Sequence, residues 1–422
     1  MVGNLYILQK LLQVSENDER IISVISYGSY TRDDFDKFSD IDLYVFIDDD
    51  YFKNFNSEKW LESAFPVQFS YINSHGVMEV VFKYGTRGEF HFLPYSGAKN
   101  EIDGWKGKVF IKNAGRTLLI DKRGELGESI IEIAETGIVE DRKKTIDETV
   151  KEFADGIIFE WNILQRKDLF RSYTLHFQNL HNCARLISLE YSRMEHIYSP
   201  RLLETFMDGA DFNRFKECIP RLEADSLTDC LEKLLLYFIE EGKRFFTGKQ
   251  KEILNGACER VIKRAYRIEI AVLKGSEVLF IEQTHKNPDK SYWLLPGGGR
   301  EIGETDLQTA MRELKEETDL EVERIEYFNE YSTPPRDTYP YVKMFLAHYR
   351  GGEPFPGDEP EDPDGVFYKI TAIKWFDLSK EKDIDELILK NGDYLEKKIR
   401  ELSFYVNKLR RSLNDKTSDM GL

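Results

Sequence analysis

Leu5, Leu8, Leu11 and Leu12 fall on one face of a helix over residues 4–14, and the polar run Ser15 to Glu19 separates it from an apolar strand, Ile21 to Tyr27. Short segments dense in Val, Ile, Phe and Tyr follow at Ile41 to Ile47, Gly76 to Lys83, Glu89 to Leu93 and Val109 to Ile111. They predict an α/β domain over residues 1–120. From about residue 145 the period becomes helical, with Val150, Phe153, Ala154, Ile157, Ile158 and Trp161, then Leu169, Tyr173, Phe177, Leu180, Ala184 and Ile187. Tyr191 to Asp211 reads as a long connection, and Leu227, Leu231, Leu234, Leu235 and Phe238 supply another amphipathic helix, so a helical bundle is expected over 121–248. The polar, basic stretch 249–264 reads as a linker. Strand patterns resume at Ile268 to Val272 and Val278 to Gln283, a Gly-rich turn opens a helix, and strands return near Tyr341 to Tyr349 and Ile373 to Phe376, a third domain over 265–382. Leu395, Ile399, Leu402, Val406 and Leu409 place a last helix in the segment 383–422, expected to pack on its own domain. The same short repeat also admits a homodimer. The fold class expected is multidomain, α+β and α/β.

Composition narrows the functions open to such a chain. Its 422 residues exceed what one hydrophobic core usually supports. No apolar run approaches the ~20 residues that span a bilayer. With no basic region followed by an apolar stretch at the N-terminus, the expectation is a cytoplasmic protein with no membrane partner. Four cysteines without a C-x-x-C pair fit neither a disulfide framework nor a structural zinc site, and are expected as small core residues. A net charge of −17 repels phosphate backbones, which disfavours nucleic acid as a partner and favours cationic small molecules.

The first chemical constellation is Gly28-Ser29 after the first strand, Asp40-Ile41-Asp42 at the head of the next, and Glu89 in Arg87-Gly88-Glu89-Phe90-His91-Phe92. Side chains two apart on a strand share a face, so Asp40 and Asp42 can hold a hard divalent cation such as Mg²⁺ between like charges that would otherwise repel. Gly28 permits a tight turn, and Ser29 offers an N–H and a hydroxyl to phosphate oxygens. Glu89 suits a general base or a metal ligand. For His91, a hydrogen-bonded strand histidine and a catalytic role are equally consistent. Taken singly, Gly-Ser or Asp-x-Asp is usually a solvated turn. Together, between two apolar strands, they resemble the nucleotidyltransferase superfamily of DNA polymerase β. The pieces "YGSYTRDDFDKFSDIDLYVFI" and "RGEFHFL" are most similar to antibiotic nucleotidyltransferases of the lincosamide and aminoglycoside type, in which a helical domain also follows the catalytic one. That resemblance covers roughly the first 245 residues. It implies an α/β catalytic core, metal binding by Asp40 and Asp42, phosphate binding by Gly28 and Ser29, and deprotonation of an acceptor hydroxyl by Glu89.

The second constellation runs from Gly298 through Glu304 to Arg312-Glu313-Leu314-Lys315-Glu316-Glu317-Thr318-Asp319-Leu320. On a helix, Glu313, Glu316 and Glu317 stand at i, i+3 and i+4, where three carboxylates make a Mg²⁺ or Mn²⁺ site, and Arg312 can pair with Glu316 or with Glu304 across the loop. A solvated acidic helix face is the ordinary meaning of such a run. The Gly-rich loop and the fixed spacing argue against it. The order G-x5-E-x7-R-E-U-x-E-E-x-G-U resembles the Nudix box at every position except the last glycine, here Asp319, a residue that tolerates the left-handed conformation. The resemblance implies an α/β/α sandwich and metal-dependent hydrolysis of a nucleoside diphosphate derivative, with catalysis by Glu316 and Glu317 and with Gly298, Glu304 and Arg312 orienting the loop. By the same resemblance, Pro335, fifteen residues past Leu320, implies ADP-ribose-type substrates, and Tyr339 equally implies the dinucleoside polyphosphate type. Trp293 is expected in the core rather than as a base platform, and Glu359 or Glu361 as a base or a solvated loop residue.

The two resemblances together imply a bifunctional enzyme with Mg²⁺ or Mn²⁺ at both sites. It would transfer a nucleoside monophosphate from an NTP to a hydroxyl of a small, antibiotic-like acceptor, and would hydrolyse a nucleoside diphosphate linked to another group. Transfer to an alcohol yields a phosphodiester, which a Nudix site cannot reverse. The sites would therefore serve modification with nucleotide clean-up, opposed reactions on a phosphate acceptor, or unrelated tasks. Two rival readings are a transferase regulated by a nucleotide-sensing Nudix domain and a transferase acting on a macromolecule.

Overall fold

Alternating apolar residues in the first part of the chain close into a six-stranded sheet in the computed structural model, which describes residues 3–139, 141–191, 200–285, 290–335, 337–357, 368–391 and 393–419. The strands are β1 (Ile21–Ser26), β2 (Ile41–Ile47), β3 (Val67–Ile72), β4 (Met78–Phe82), β5 (Arg87–Pro94) and β6 (Leu118–Asp121), ordered β3-β4-β5-β2-β1-β6. Only β2 and β5 run parallel; every other neighbouring pair is antiparallel. Period-2 alternation sends Leu43, Val45 and Phe90 to one face, against Ile7, Leu8 and Leu11 of the Asn4–Asn17 helix and Trp60 and Leu61 of the Ser57–Ala64 helix. Ile25 and Phe46 face the other side, against Ile102, Trp105, Ile130 and Ile133.

The strand expected at Val109 to Ile111 is irregular, its Val109 N–H turned back to the Trp105 carbonyl at 3.0 Å while Ile111 stays buried. β3 and β6 were not expected. β3 exposes Phe69, Tyr71 and Ile72, which blurs its alternation, and β6 has four residues.

The chain forms two compact units, Met1–Glu148 with Ala184–Met207, and Thr149–Cys183 with Asp208–Leu422. In the second, Phe153 of the Arg142–Gln165 helix stacks on Phe238 of the Ala224–Gly242 helix with ring centroids 3.7 Å apart. The stretch 249–264, expected as a linker, is folded. A Thr247/Gln250 capping box starts a helix over Gly248–Cys258, a π-helical turn follows over Glu259–Lys263, and Leu254, Ala257, Cys258, Val261 and Ile262 are buried. Apart from Gln250, buried in the capping box, its polar and charged residues lie on the outer face of an amphipathic element, so composition alone read it as solvated.

A second sheet follows, of β7 (Arg267–Lys274), β8 (Glu277–His285), β9 (Ser291–Leu294), β10 (Gly297–Gly299), β11 (Val322–Ser332), β12 (Tyr341–Tyr349) and β13 (Tyr368–Asp377). Its main path is β11-β12-β7-β8-β13, with β10 on β7 and β9 on β8. The Asp306–Thr318 helix packs on β10 and β7. The Glu381–Asn391 and Asp393–Asp419 helices cover the core in which Leu395, Ile399, Leu402 and Val406 join Ala271, Phe280, Trp293 and Phe376. The heptad pattern is thus spent on the helix's own domain, and Trp293 is a core residue. Lys398 of that helix forms a buried ion pair with Glu269 of β7, at 2.9 Å. All four cysteines are buried and unbridged. Among the described residues no helix is long and apolar enough to cross a membrane.

Candidate active sites

The first site forms at the ends of β1, β2 and β5. Parallel pairing sets Asp42 beside Glu89. The chain leaves β1 at Tyr27, whose N–H donates to the Asp42 carbonyl at 3.1 Å, and turns at Gly28 with φ 68°. A Cβ on Gly28 would stand 2.3 Å from Asp42 Oδ2, so only glycine lets the turn pass over that carboxylate. Ser29 then opens the short Ser29–Arg32 helix.

Arg87, one residue before Gly88 on β5, gathers the carboxylates. It donates to Asp40, to Glu79 at 2.6 Å and to Glu89 at 2.7 Å. Tyr27 donates its hydroxyl to the other Glu89 oxygen at 3.2 Å. The Asp42 carboxyl is pushed up to about 7, chiefly by burial and then by the charges of Glu89 and Asp40. His91 stacks flat on Tyr44, centroids 4.1 Å apart, and burial lowers its pKa. It packs among the rings of Tyr27 and Tyr44, with the charges of Glu101 and Glu89 acting against that lowering.

The second site is the 297–318 loop and helix. Thr305 caps the helix through a box with Gln308, and Asp319 ends it at φ 57°, the left-handed conformation expected where the motif carries glycine. Arg312 is the hub. It donates twice to Glu304, at 2.7 and 3.0 Å, and once each to Glu313 at 2.8 Å, Glu316 at 3.0 Å and the Gly299 carbonyl at 2.9 Å. Its guanidinium holds the Glu304 carboxyl down at about 2. Burial pushes Glu313 up to about 7 despite Arg312 and Arg267 nearby. Glu317, 1% exposed, accepts from the Gly297 N–H at 2.7 Å. Gly298 lies directly on Glu313, since a Cβ there would meet its Oε1 at 2.3 Å.

All the residues singled out in the two motifs thus gather in two places: Gly28, Ser29, Asp40, Asp42 and Glu89 in one, Gly298, Glu304, Arg312, Glu313, Glu316 and Glu317 in the other. Tyr339 lies by Gly299, its hydroxyl 3.0 Å from where a Cβ would stand, whereas Pro335 is exposed and Glu359 and Glu361 lie outside the described residues. Sequence reasoning passed over Arg87 and Glu79, although Arg87 is two residues from Glu89 and so shares its strand face. It also passed over Arg267, brought to the second site by β7. Both donor sets fit a hard divalent cation, being carboxylate oxygens crowded enough to raise one member each. Among the described residues, however, no three His, Cys, Asp or Glu side chains stand in a ready ligating arrangement. Arg87 and Arg312 sit between the carboxylates.

Comparison with known proteins adds to this geometry. The NUDIX domain model matches residues 264–395, and the model "Polymerase beta, Nucleotidyltransferase" matches 9–84. The chain is 32% identical over 131 residues to an ADP-ribose pyrophosphatase of Methanocaldococcus jannaschii, covering 30% of this chain and 76% of that protein. The chain belongs to the Nudix family, behind an N-terminal polymerase-β-type nucleotidyltransferase domain. The Nudix part is also similar to a methanol dehydrogenase activator of Bacillus methanolicus, 33% identical over 27% of this chain and 62% of that one. An NAD-capped RNA hydrolase NudC of Vibrio atlanticus is 29% identical over 34% of this chain and 49% of that protein. Both domain families are of enzymatic type, nucleotidyl transfer and pyrophosphate hydrolysis. The nucleotidyltransferase match includes Gly28, Ser29, Asp40 and Asp42 and stops before Glu89.

Proposed function

We propose that the chain is a bifunctional enzyme. It transfers a nucleoside monophosphate from an NTP to a hydroxyl of a small molecule, and it hydrolyses a nucleoside diphosphate derivative of the ADP-ribose class. The observation that carries this reading is that each site gathers a carboxylate set around one arginine, beside a glycine whose Cβ would run into one of those carboxylates.

At the first site, Gly28 and Ser29 cradle the triphosphate and Glu89 accepts the proton of the acceptor hydroxyl. The acceptor oxygen bonds to the α-phosphorus, and the bond to pyrophosphate breaks. Asp40 and Asp42 would hold a divalent cation, which neutralises the phosphate charge when bound. Tyr27 and Arg87 orient Glu89. At the second site, Arg312 and Glu304 fix the loop on the helix, and Glu313, Glu316 and Glu317 would hold the cation. A water oxygen bonds to phosphorus and the phosphoanhydride breaks, ADP-ribose giving AMP and ribose 5-phosphate. The acidic surface suits a cationic acceptor such as an aminoglycoside or lincosamide.

The test is mass spectrometry after incubation with Mg²⁺, each NTP and a panel of such acceptors, and separately with ADP-ribose, beside Asp42→Ala and Glu316→Ala. A nucleotidylated acceptor lost only in Asp42→Ala, and AMP release lost only in Glu316→Ala, support the reading. Both activities lost together in either variant contradict it.

A further inference from the structure

The Nudix catalytic loop is gripped by chain that lies outside the matched Nudix segment. Arg300 follows Gly299 and is only 14% exposed at its side chain. It donates to Glu232 of the Ala224–Gly242 helix at 2.7 Å and to the Tyr266 hydroxyl at 3.0 Å. Tyr266 in turn donates to Asp306 at 2.6 Å, the first residue of the helix that carries Glu313, Glu316 and Glu317. Lys343 pairs with the same Asp306 at 2.9 Å. On the other flank, Lys263 at the end of the π-helical turn donates to Glu301 at 2.7 Å. Its carbonyl backs Gly299 so closely that a Cβ there would stand 2.3 Å away. Glu232 and Lys263 both precede residue 264, where the Nudix match begins.

We propose that the helical segment preceding the Nudix fold positions its catalytic loop, with Glu232 and Lys263 as positioning residues. The chain of contacts is short. Glu232 fixes Arg300, Arg300 fixes the Gly299 peptide, and the Gly299 carbonyl is a ligand of the Arg312 guanidinium that orients Glu304, Glu313 and Glu316. Gly298 lies against Glu313, so a small shift of the 299–301 backbone moves the carboxylate set itself. Partners of this kind, one contact removed from the reacting groups, set activity through geometry rather than by touching substrate. Single π-helical turns recur at functional sites, and this one ends at Lys263.

This inference rests on the Nudix reading, and its test separates the two. In the full chain, Glu232→Gln and Lys263→Met are compared with wild type in ADP-ribose hydrolysis and in amide hydrogen exchange of residues 297–306, with Glu232→Asp as the conservative variant. The expected result is a fall in kcat of about 10-fold with KM near wild type. Faster exchange confined to 297–306 accompanies it, with recovery toward wild type in Glu232→Asp. Exchange and kcat at the wild-type level in both variants overturn the proposal. Should wild type leave ADP-ribose intact, the substrate reading fails on its own, and the exchange data alone decide: unchanged protection of 297–306 overturns the positioning role, loosened protection supports it.

Discussion

Glu304→Gln isolates the ion pair that locks the Nudix loop onto its helix. The substitution keeps the shape of the side chain and removes the charge that accepts two hydrogen bonds from Arg312. Relative to its ordinary 4.5, the Glu304 carboxyl is held at about 2 in the fold, first by the Arg312 hydrogen bonds. A depressed carboxyl stabilises the folded state fully above its unfolded value and loses that contribution as pH falls toward the folded one. Linkage between 4.5 and about 2 amounts to at most about 3 kcal/mol at pH 7 and about 1 kcal/mol at pH 3. Arg312 keeps Glu313 and Glu316 as partners in the variant, so the measured loss at pH 7 should be nearer 1–3 kcal/mol. Urea unfolding read by hydrogen-exchange mass spectrometry on peptides of the Asp306–Thr318 helix measures it locally. The gap between wild type and Glu304→Gln should shrink by at least half between pH 7 and pH 3. A gap of equal size at both pH values, or none at pH 7, refutes the reasoning.

Further outcomes follow from the same geometry. Gly28→Ala places a Cβ 2.3 Å from Asp42 Oδ2 at φ +68°, and should abolish nucleotidyl transfer while costing about 1–3 kcal/mol of stability, read by transfer assay and thermal melt. Asp42→Asn should abolish transfer yet raise the melting temperature of metal-free protein at pH 8. The carboxyl sits at about 7 against an ordinary 3.8, so its ionised form destabilises the fold above that range. The gain should vanish below pH 4, and a lower melting temperature at pH 8 contradicts the crowding argument. Lys398→Met takes from buried Glu269 its cation at 2.9 Å, leaving Arg267 at 4.0 Å, and should cost up to about 3–5 kcal/mol in denaturant unfolding, most of it recovered in the Lys398→Met/Glu269→Leu double variant.

Local spacing made the Asp40/Asp42 pair legible through strand geometry, and Glu313, Glu316 and Glu317 through one turn of helix. Glu89 was joined to the first pair by the resemblance of its motif, and parallel pairing of β2 with β5 sets it beside Asp42. Asp319 in the left-handed conformation likewise followed from the residue's own tolerance. What the sequence hid are contacts made across the fold. Glu79 reaches Arg87 from the neighbouring strand β4, Glu232 reaches Arg300 from a helix 68 positions earlier, and Lys398 reaches Glu269 from the far end of the chain. None of these pairs has a spacing that marks it. The 249–264 segment misled for a related reason, because its polar composition described only its outer face.

The most direct test of two separate centres in one chain is ³¹P NMR of wild type, Asp42→Asn and Glu316→Gln, each incubated with Mg²⁺ and ADP-ribose. Wild type and Asp42→Asn should convert the diphosphate resonances to those of AMP and ribose 5-phosphate, while Glu316→Gln leaves them intact. Hydrolysis surviving in Glu316→Gln, or lost in Asp42→Asn, would contradict the account.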